Sequence, residues 1–311
     1  MKLKKTTVVV GGGTMGSDIA LTLARAGCAT HLVETDPARR ATLPGRCLAG
    51  LAEFGCPERA DRIAIHATLD AIPWTTVDAV IEAIPEQLDI KRALFADLVR
   101  LARPDALLTS NSSALPISRI AEGLPGRERM FGLHYFMPAQ WVPLVEVVCA
   151  EASDPARADE LCAFMRSTGK VPVKVKKDVP GFLANRLQHA LCREAFALLE
   201  AGVASAEDLD LAVRFGFGLR FLAVGPIRQR DYAGLDVHYA AATTIYPDIA
   251  ANTAPSQVLR EHVAAGHLGI KSGQGFFAWT PEKAARDKAR YDELLKAALA
   301  LLADELPQVE G

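Results

Sequence analysis

Hydrophobic positions along the chain fall into short unbroken runs, separated by longer stretches in which apolar residues recur every three or four places. The runs Thr6-Thr-Val-Val-Val10, Ala29 to Val33, Ala79-Val-Ile-Glu-Ala-Ile84 and Ala106-Leu-Leu-Thr-Ser110 are too short for helices, and they predict strands covered on both faces. Helical periodicity lies between them, over Ser17 to about Ala26 and Asp89 to Leu101. This alternation predicts an α/β architecture with a mostly parallel sheet. A strand is also expected at Arg62-Ile63, two consecutive strands within Gly132 to Val148, a helix from about Pro155 to Thr168, and a strand at Val171-Pro-Val-Lys-Val175. The stretch between Glu34 and Arg62 is short, and Pro44-Gly45 and Cys56-Pro57 are expected to break it. Beyond Lys176-Lys-Asp-Val-Pro-Gly181 the pattern becomes helical only, with amphipathic stretches from Phe182 to Ala201 and from Ala206 to Phe215. Two domains are expected, 1–180 with the sheet and 181–311 all-helical.

The turn after the first strand reads Gly11-Gly-Gly13-Thr-Met-Gly16 and opens a helix. A buried strand, a Gly-x-Gly-x-x-Gly turn and a helix N-terminus aim backbone N–H groups at a pyrophosphate, which makes Gly11, Gly13, Thr14, Met15 and Gly16 candidate cofactor contacts. The second strand runs into Glu34, near the ~20-residue offset of the acid that binds an adenine ribose. The expectation is therefore a doubly wound, Rossmann-type first domain. A carboxylate at the ribose repels a 2′-phosphate, so NAD is favoured over NADP. Arg39 and Arg40 lie close behind and could neutralise such a phosphate, although surface arginines on the first turn of the next helix are the more ordinary reading.

Composition narrows the picture further. At 311 residues the chain is long enough for two cores, and a formal charge of -2 leaves no electrostatic footprint for nucleic acid or an anionic membrane. No stretch is long and apolar enough to span a membrane. Met1-Lys-Leu-Lys-Lys5 reads as a basic lead-in to the first strand. Six cysteines, scattered without Cys-x-x-Cys spacing, point to reduced thiols in a cytoplasmic protein. The seven histidines show no metal-ligand spacing, so no metal is expected. Apart from His134 they read as partly buried or surface residues.

The chemistry concentrates on His134 and Glu146, which sit on the two consecutive strands. A carboxylate within Leu144-Val-Glu-Val-Val148 is costly to bury without a partner, and an imidazole supplies one. Such a carboxylate fixes the imidazole tautomer and makes the histidine a competent general base, which oxidation of an alcohol by a nicotinamide requires. Ser110-Asn-Ser-Ser113 follows a strand and reads either as site hydroxyls or as a plain turn. Glu86 and Lys91 read alone as a helix-start acid and a solvated lysine, and Asn185 as a helix-surface residue or a group facing the cleft.

Gly11 to Gly16, Glu82 to Lys91, Ser110 to Pro116, Gly132 to Val148, Asp178 to Arg186, Gly225-Pro226 and Lys271 to Phe277 together resemble, in order, the 3-hydroxyacyl-CoA dehydrogenase family. The resemblance implies that His134 and Glu146 are the catalytic pair. It also implies that Ser113 and Asn185 hold the substrate oxygens, and that Glu34, Glu86, Lys91, Ser113 and Lys271 contact the dinucleotide. It implies a homodimer formed through the helical domain. The expected reaction is interconversion of a short-chain L-3-hydroxyacyl-CoA, such as 3-hydroxybutyryl-CoA, with its 3-keto form, as in fatty acid metabolism. Two departures bear on the substrate. Met137 stands where the family usually has asparagine, and the long lysine-bearing helical arm that grips CoA is missing after Glu34. The C-terminal half is also similar to the branch containing carnitine dehydrogenase, L-gulonate dehydrogenase and lambda-crystallin, which makes a small free hydroxy acid the alternative substrate and Arg220 its candidate carboxylate anchor. A non-catalytic NADH-binding protein is the remaining alternative. Replacement of Glu146 by Gln is expected to cost less than loss of His134.

Overall fold

The computed structural model describes residues 5–309, so most of the basic lead-in lies outside the described residues. Among the described residues, eight strands form one sheet: β1 Thr6–Val10, β2 Ala29–Val33, β3 Ile63–His66, β4 Ala79–Glu82, β5 Leu107–Ser110, β6 Met130–Tyr135, β7 Leu144–Cys149 and β8 Val171–Val175. Their order across the sheet is β3-β2-β1-β4-β5-β6-β7-β8. The first six strands are parallel, and with helices α1 (Thr14–Arg25), α2 (Pro37–Ala52), α3 (Leu88–Leu101) and the short α4 (Ile117–Ile120) they make the doubly wound dinucleotide-binding arrangement. β7 turns back antiparallel to β6, because residues 136–143 are too few for a crossover of a dozen or more. β8 then pairs parallel to β7.

Side chains alternate across the sheet with a period of two. Val9, Ile81 and Leu107 pack with Ile19, Ala20 and Leu23 of α1 and with Leu161, Phe164 and Met165 of α5 (Pro155–Ser167). Val8, Val10, Val80 and Leu108 face the other way, onto Phe95 and Leu98 of α3 and onto Ile117 and Ile120 of α4. With both faces covered, the central strands read as unbroken apolar runs.

One expectation fails in α2. The helix starts at Asp36, whose side chain accepts from the N–H groups of Ala38 and Arg39, and it continues through Pro44 to Ala52. Pro44 removes one helical donor but lies on the solvent side, while Leu43, Cys47 and Leu51 bury a stripe at i, i+4 and i+8 that outweighs the loss. After a short turn, Pro57–Arg62 forms a 3₁₀ helix leading directly into β3.

The chain divides into two compact units between Asn185 and Arg186, and the tail from Glu305 belongs to the first. The second unit is helical: α6 (Ala184–Glu200) leads into it, followed by α7 (Ala206–Leu211), a π-helical turn over Ala212–Gly218, α8 (Pro226–Ala233), α9 (Leu235–Ile245), α10 (Gln257–Ala264) and α11 (Pro281–Leu301). The expected helix from Ala206 to Phe215 thus changes winding at Ala212. Among the described residues, no helix is long and apolar enough to cross a membrane.

Candidate active site

Two glycines shape the turn at the C-terminal end of β1. Gly11 has φ +106°, and a Cβ there would lie 2.6 Å from the Ala83 carbonyl oxygen. At Gly16 a Cβ would come within 1.8 Å of the Gly11 carbonyl oxygen, so α1 packs directly on the turn. Gly13 differs: open space surrounds its Cβ position, and as the residue preceding α1 it offers no side-chain cap to the first N–H groups of that helix. These are the features a pyrophosphate needs, with backbone donors facing an unobstructed approach. Next to them lies a cavity of about 360 Å³ whose lining includes Gly13, Thr14, Arg39, Thr42 and Arg46.

Glu34 closes this end of the site. Its carboxylate is buried and accepts from Gly12 N at 3.0 Å and Asp36 N at 2.8 Å, with Arg39 Nη1 at 3.1 Å. Arg40 donates to the backbone oxygens of Glu34 and Thr35. Both arginines are therefore engaged around the acid, beyond the surface role expected of them. The residues present fit NAD, with an acid at the end of β2 beside the glycine turn.

On the other side of β1, the ends of β4 and β5 bring Glu82 into register with Ser110. Glu82 is fully buried; its Oε2 accepts from Ser110 Oγ at 2.6 Å, and its Oε1 accepts from Ile84 N at 2.8 Å and Lys91 Nζ at 2.5 Å. Lys91 is 1% exposed and also reaches Glu86 Oε2 at 3.3 Å, so the solvated lysine expected from its helical position is a buried one. Glu86 Oε1 accepts from the N–H groups of Ser113, Ala114 and Leu115 at 3.0 to 3.2 Å. Burial alone would raise the Glu86 carboxyl, but the Ala114 N–H and the Lys91 charge outweigh it and hold it below the ordinary range. Asn111 Oδ1 accepts from Tyr135 N and ties this turn to β6.

The β6–β7 register sets His134 opposite Glu146. His134 Nδ1 lies 2.8 Å from Glu146 Oε2, and Nε2 lies 3.1 Å from Ser113 Oγ. A carboxylate only accepts, so the Nδ1 proton points to Glu146, and in the neutral imidazole the lone pair on Nε2 faces Ser113. Glu146 Oε1 accepts from Leu183 N at 3.0 Å and Ala184 N at 2.9 Å. Those two N–H groups follow Phe182, which is buried at φ +51° with its ring 5.5 Å from the imidazole. Burial would raise the Glu146 carboxyl, yet the hydrogen bonds from His134, Ala184 and Leu183 lower it overall. Asn185 follows immediately as the second residue of α6, half-buried.

His134, Glu146, Ser113, Glu86 and Lys91 thus form one connected network. Arg220 and Lys271 belong to the second unit. Arg220 is exposed and, with the Gln229 amide oxygen turned toward it, donates to that oxygen from Nη1 at 3.1 Å. Lys271 lines a cavity of about 430 Å³ with Phe276, Phe277 and Trp279. Sequence reasoning gave Glu82 no role of its own in the site, although a carboxylate inside an apolar strand was the available signal, and it did not foresee that Ser110 holds Glu82 and Asn111 ties the turn to β6. It also missed the hydrogen bond between His31 Nδ1 and His66 Nε2 at 2.9 Å, whose burial lowers both imidazole pKa values.

The sequence model of the 3-hydroxyacyl-CoA dehydrogenase NAD binding domain matches residues 6–179, and that of the corresponding C-terminal domain matches residues 181–279. The chain belongs to the 3-hydroxyacyl-CoA dehydrogenase family. As a member, it is an NAD-dependent oxidoreductase acting on a CH–OH group. Within the family it is similar to 5-formyl-3-hydroxy-2-methylpyridine 4-carboxylate 5-dehydrogenase from Mesorhizobium japonicum, with 33% identity over 96% of this chain and 98% of that protein. A crystal structure of a dehydrogenase of that name, described as an NAD+ dependent dismutase, gives a TM-score of 0.87 at 32% identity, covering 96% of this chain and 97% of that one. The family's (S)-3-hydroxybutyryl-CoA dehydrogenase from Ralstonia eutropha gives 0.74 at 28% identity, covering 89% and 99%.

Proposed function

We propose that the protein uses NAD to oxidise a small free acid at a carbon bearing both hydrogen and hydroxyl, either a secondary alcohol or a hydrated aldehyde. The observation that carries this reading is the His134 imidazole held between Glu146 Oε2 and Ser113 Oγ at the carboxyl ends of the strands. NAD, when bound, supplies the hydride acceptor. His134 Nε2 takes the hydroxyl proton while Glu146 stabilises the imidazolium, and Ser113 and Asn185 orient the substrate oxygen. Glu34 and the Gly11–Gly16 turn hold the adenosine and pyrophosphate end, and Glu86 faces the nicotinamide.

The small substrate is favoured by the direct return from α2 through Pro57–Arg62 into β3, with no arm to grip a CoA. The relative named for a pyridine carboxylate, which also matches a larger share of the chain, favours it too. A short-chain 3-hydroxyacyl-CoA, used in fatty acid metabolism, is the second reading; the Ralstonia relative named for 3-hydroxybutyryl-CoA favours it. NADH production from 3-hydroxybutyryl-CoA, free 3-hydroxybutyrate, carnitine, L-gulonate and a formylpyridine carboxylate separates the two. A free acid is expected to give the highest kcat/KM; a CoA thioester that exceeds every free acid establishes the second reading. No NADH from any hydroxyl or aldehyde substrate, with NADH binding intact, marks a non-catalytic binding protein.

We further propose a homodimer formed through the helical unit. Among the described residues 186–304 only Gly275 is buried, and Ile227, Tyr232 and Tyr239 are 79%, 73% and 76% exposed. Helices with so little cover of their own need an apolar partner surface. The six free cysteines suit a reducing, cytoplasmic setting.

A further inference from the structure

We propose that the buried Glu82–Lys91 ion pair tunes the relative affinity of this site for the oxidised and the reduced cofactor, by leaving the Glu86 carboxylate only partly compensated. The inference rests on the reading that Glu86 faces the nicotinamide. That placement has a topological basis: Glu34, at the end of β2, fixes the adenine ribose on one side of β1, so the dinucleotide crosses the switch point and its other end reaches β4 and β5. Glu86 and Ser113 lie just beyond those strands.

The nicotinamide ring carries a positive charge when oxidised and none when reduced. A carboxylate beside it therefore favours the oxidised form, provided that no cation cancels that carboxylate. Lys91 sits 3.3 Å from Glu86 Oε2 and by itself would cancel it. Glu82 limits this. Its Oε1 lies closer to the same ammonium, at 2.5 Å, and both side chains are almost completely buried, where a matched pair interacts most strongly. Ser110 Oγ on Oε2 and Ile84 N on Oε1 keep Glu82 turned toward Lys91. Two carboxylates and one ammonium leave one negative charge, and the exposed member of the trio is Glu86. Glu82 is thus a positioning residue acting through Lys91, with no part in proton transfer.

The test is the ratio of dissociation constants, Kd(NAD+)/Kd(NADH), from calorimetric titration of NAD+ and fluorescence titration of NADH. In Glu82→Gln, Lys91 has only Glu86 to neutralise, and the ratio is expected to rise roughly tenfold, the scale of one partly screened unit charge at such distances. A merely structural lesion weakens both forms alike and leaves the ratio unmoved, which overturns the proposal. Glu86→Gln is expected to raise the ratio similarly. If it does not, the placement of Glu86 is wrong and the underlying reading fails, whereas a change in Glu86→Gln without one in Glu82→Gln sinks this proposal alone. The double variant Glu82→Gln/Lys91→Met removes both members of the pair and leaves Glu86 uncompensated, so its ratio is expected to return to the wild-type value. A double variant that keeps a raised ratio overturns the proposal, and this comparison still decides if Glu82→Gln alone does not fold.

Discussion

At Glu146 the two carboxylate oxygens have different partners, and this alters what an amide replacement would do. Oε1 accepts from two backbone N–H groups, so the oxygen of a glutamine would stay there and its NH₂ would turn toward His134 Nδ1. That arrangement forces the imidazole proton onto Nε2 and removes the lone pair facing Ser113. Glu146→Gln is therefore expected to lose roughly 10²- to 10⁴-fold in kcat, the same range as His134→Gln, because both would disable the proposed general base. NADH binding, followed by fluorescence, should survive in both variants. Near-normal turnover in either would place the base elsewhere. Sequence alone argued for the milder outcome, since the residues that fix Oε1, Leu183 and Ala184, lie far along the chain and act through their backbone. The His134–Glu146 pairing was itself legible, because an acid within an apolar strand demands a partner. Burial of Lys91 was not legible, because its helical position says nothing about the glutamate beneath it.

At the scale of elements, α1 and the loop after β6 each yield a prediction. Gly16→Ala would drive a Cβ into the Gly11 carbonyl and push α1 off the turn, so a large loss of melting temperature together with loss of NADH binding is expected. Gly13→Ala meets no protein atom, and with φ −65° its backbone suits alanine. It should keep the wild-type melting temperature and weaken NADH binding, and equal destabilisation of the two variants would contradict this division of labour. The loop from Phe136 to Pro143 is held from below by Lys170, which is 1% exposed and donates to the carbonyls of Ala139 and Val142. Burial, with Arg25 nearby, lowers the Lys170 ammonium to about 7. Between about pH 7 and 10.5 the folded chain binds fewer protons at this residue than the unfolded chain. Its contribution to stability therefore rises with pH across that window and is lost as pH falls through 7. In urea unfolding, the stability of wild type minus that of Lys170→Met is expected to increase by at most about 1.4 kcal/mol per pH unit between pH 7 and 10, and a flat difference would mean that Lys170 is charged throughout. The strands were legible because burial on both faces makes them unbroken apolar runs, whereas the continuity of α2 through Pro44 was not, since it depends on the stripe that Leu43, Cys47 and Leu51 bury.

For the whole molecule, the contrast between its two units decides what to expect in solution. The sheet of the first unit carries large apolar clusters on both faces, but residues 186–304 expose many leucines, phenylalanines and tyrosines and bury almost nothing. Such a helical unit does not stay folded in water on its own burial, because ordering each residue costs about 1–2 kcal/mol of backbone entropy that only removal of apolar surface from water offsets. Its amphipathic periodicity was plain in the sequence, but the same stripe serves an internal core or a second copy equally well, so the pattern could not say which surface it meets. Light scattering is expected to give twice the 33.4 kDa chain mass at micromolar concentration. The double variant Ile227→Glu/Tyr239→Glu sets charges among the most exposed apolar side chains, and desolvating them in an interface would cost several kcal/mol. It is expected to run at the single-chain mass and to melt lower than wild type, with the decrease confined to the helical signal if the sheet unit keeps its own core. A wild-type chain that is monomeric, stable and fully helical under these conditions would mean that its helices find their cover within one copy.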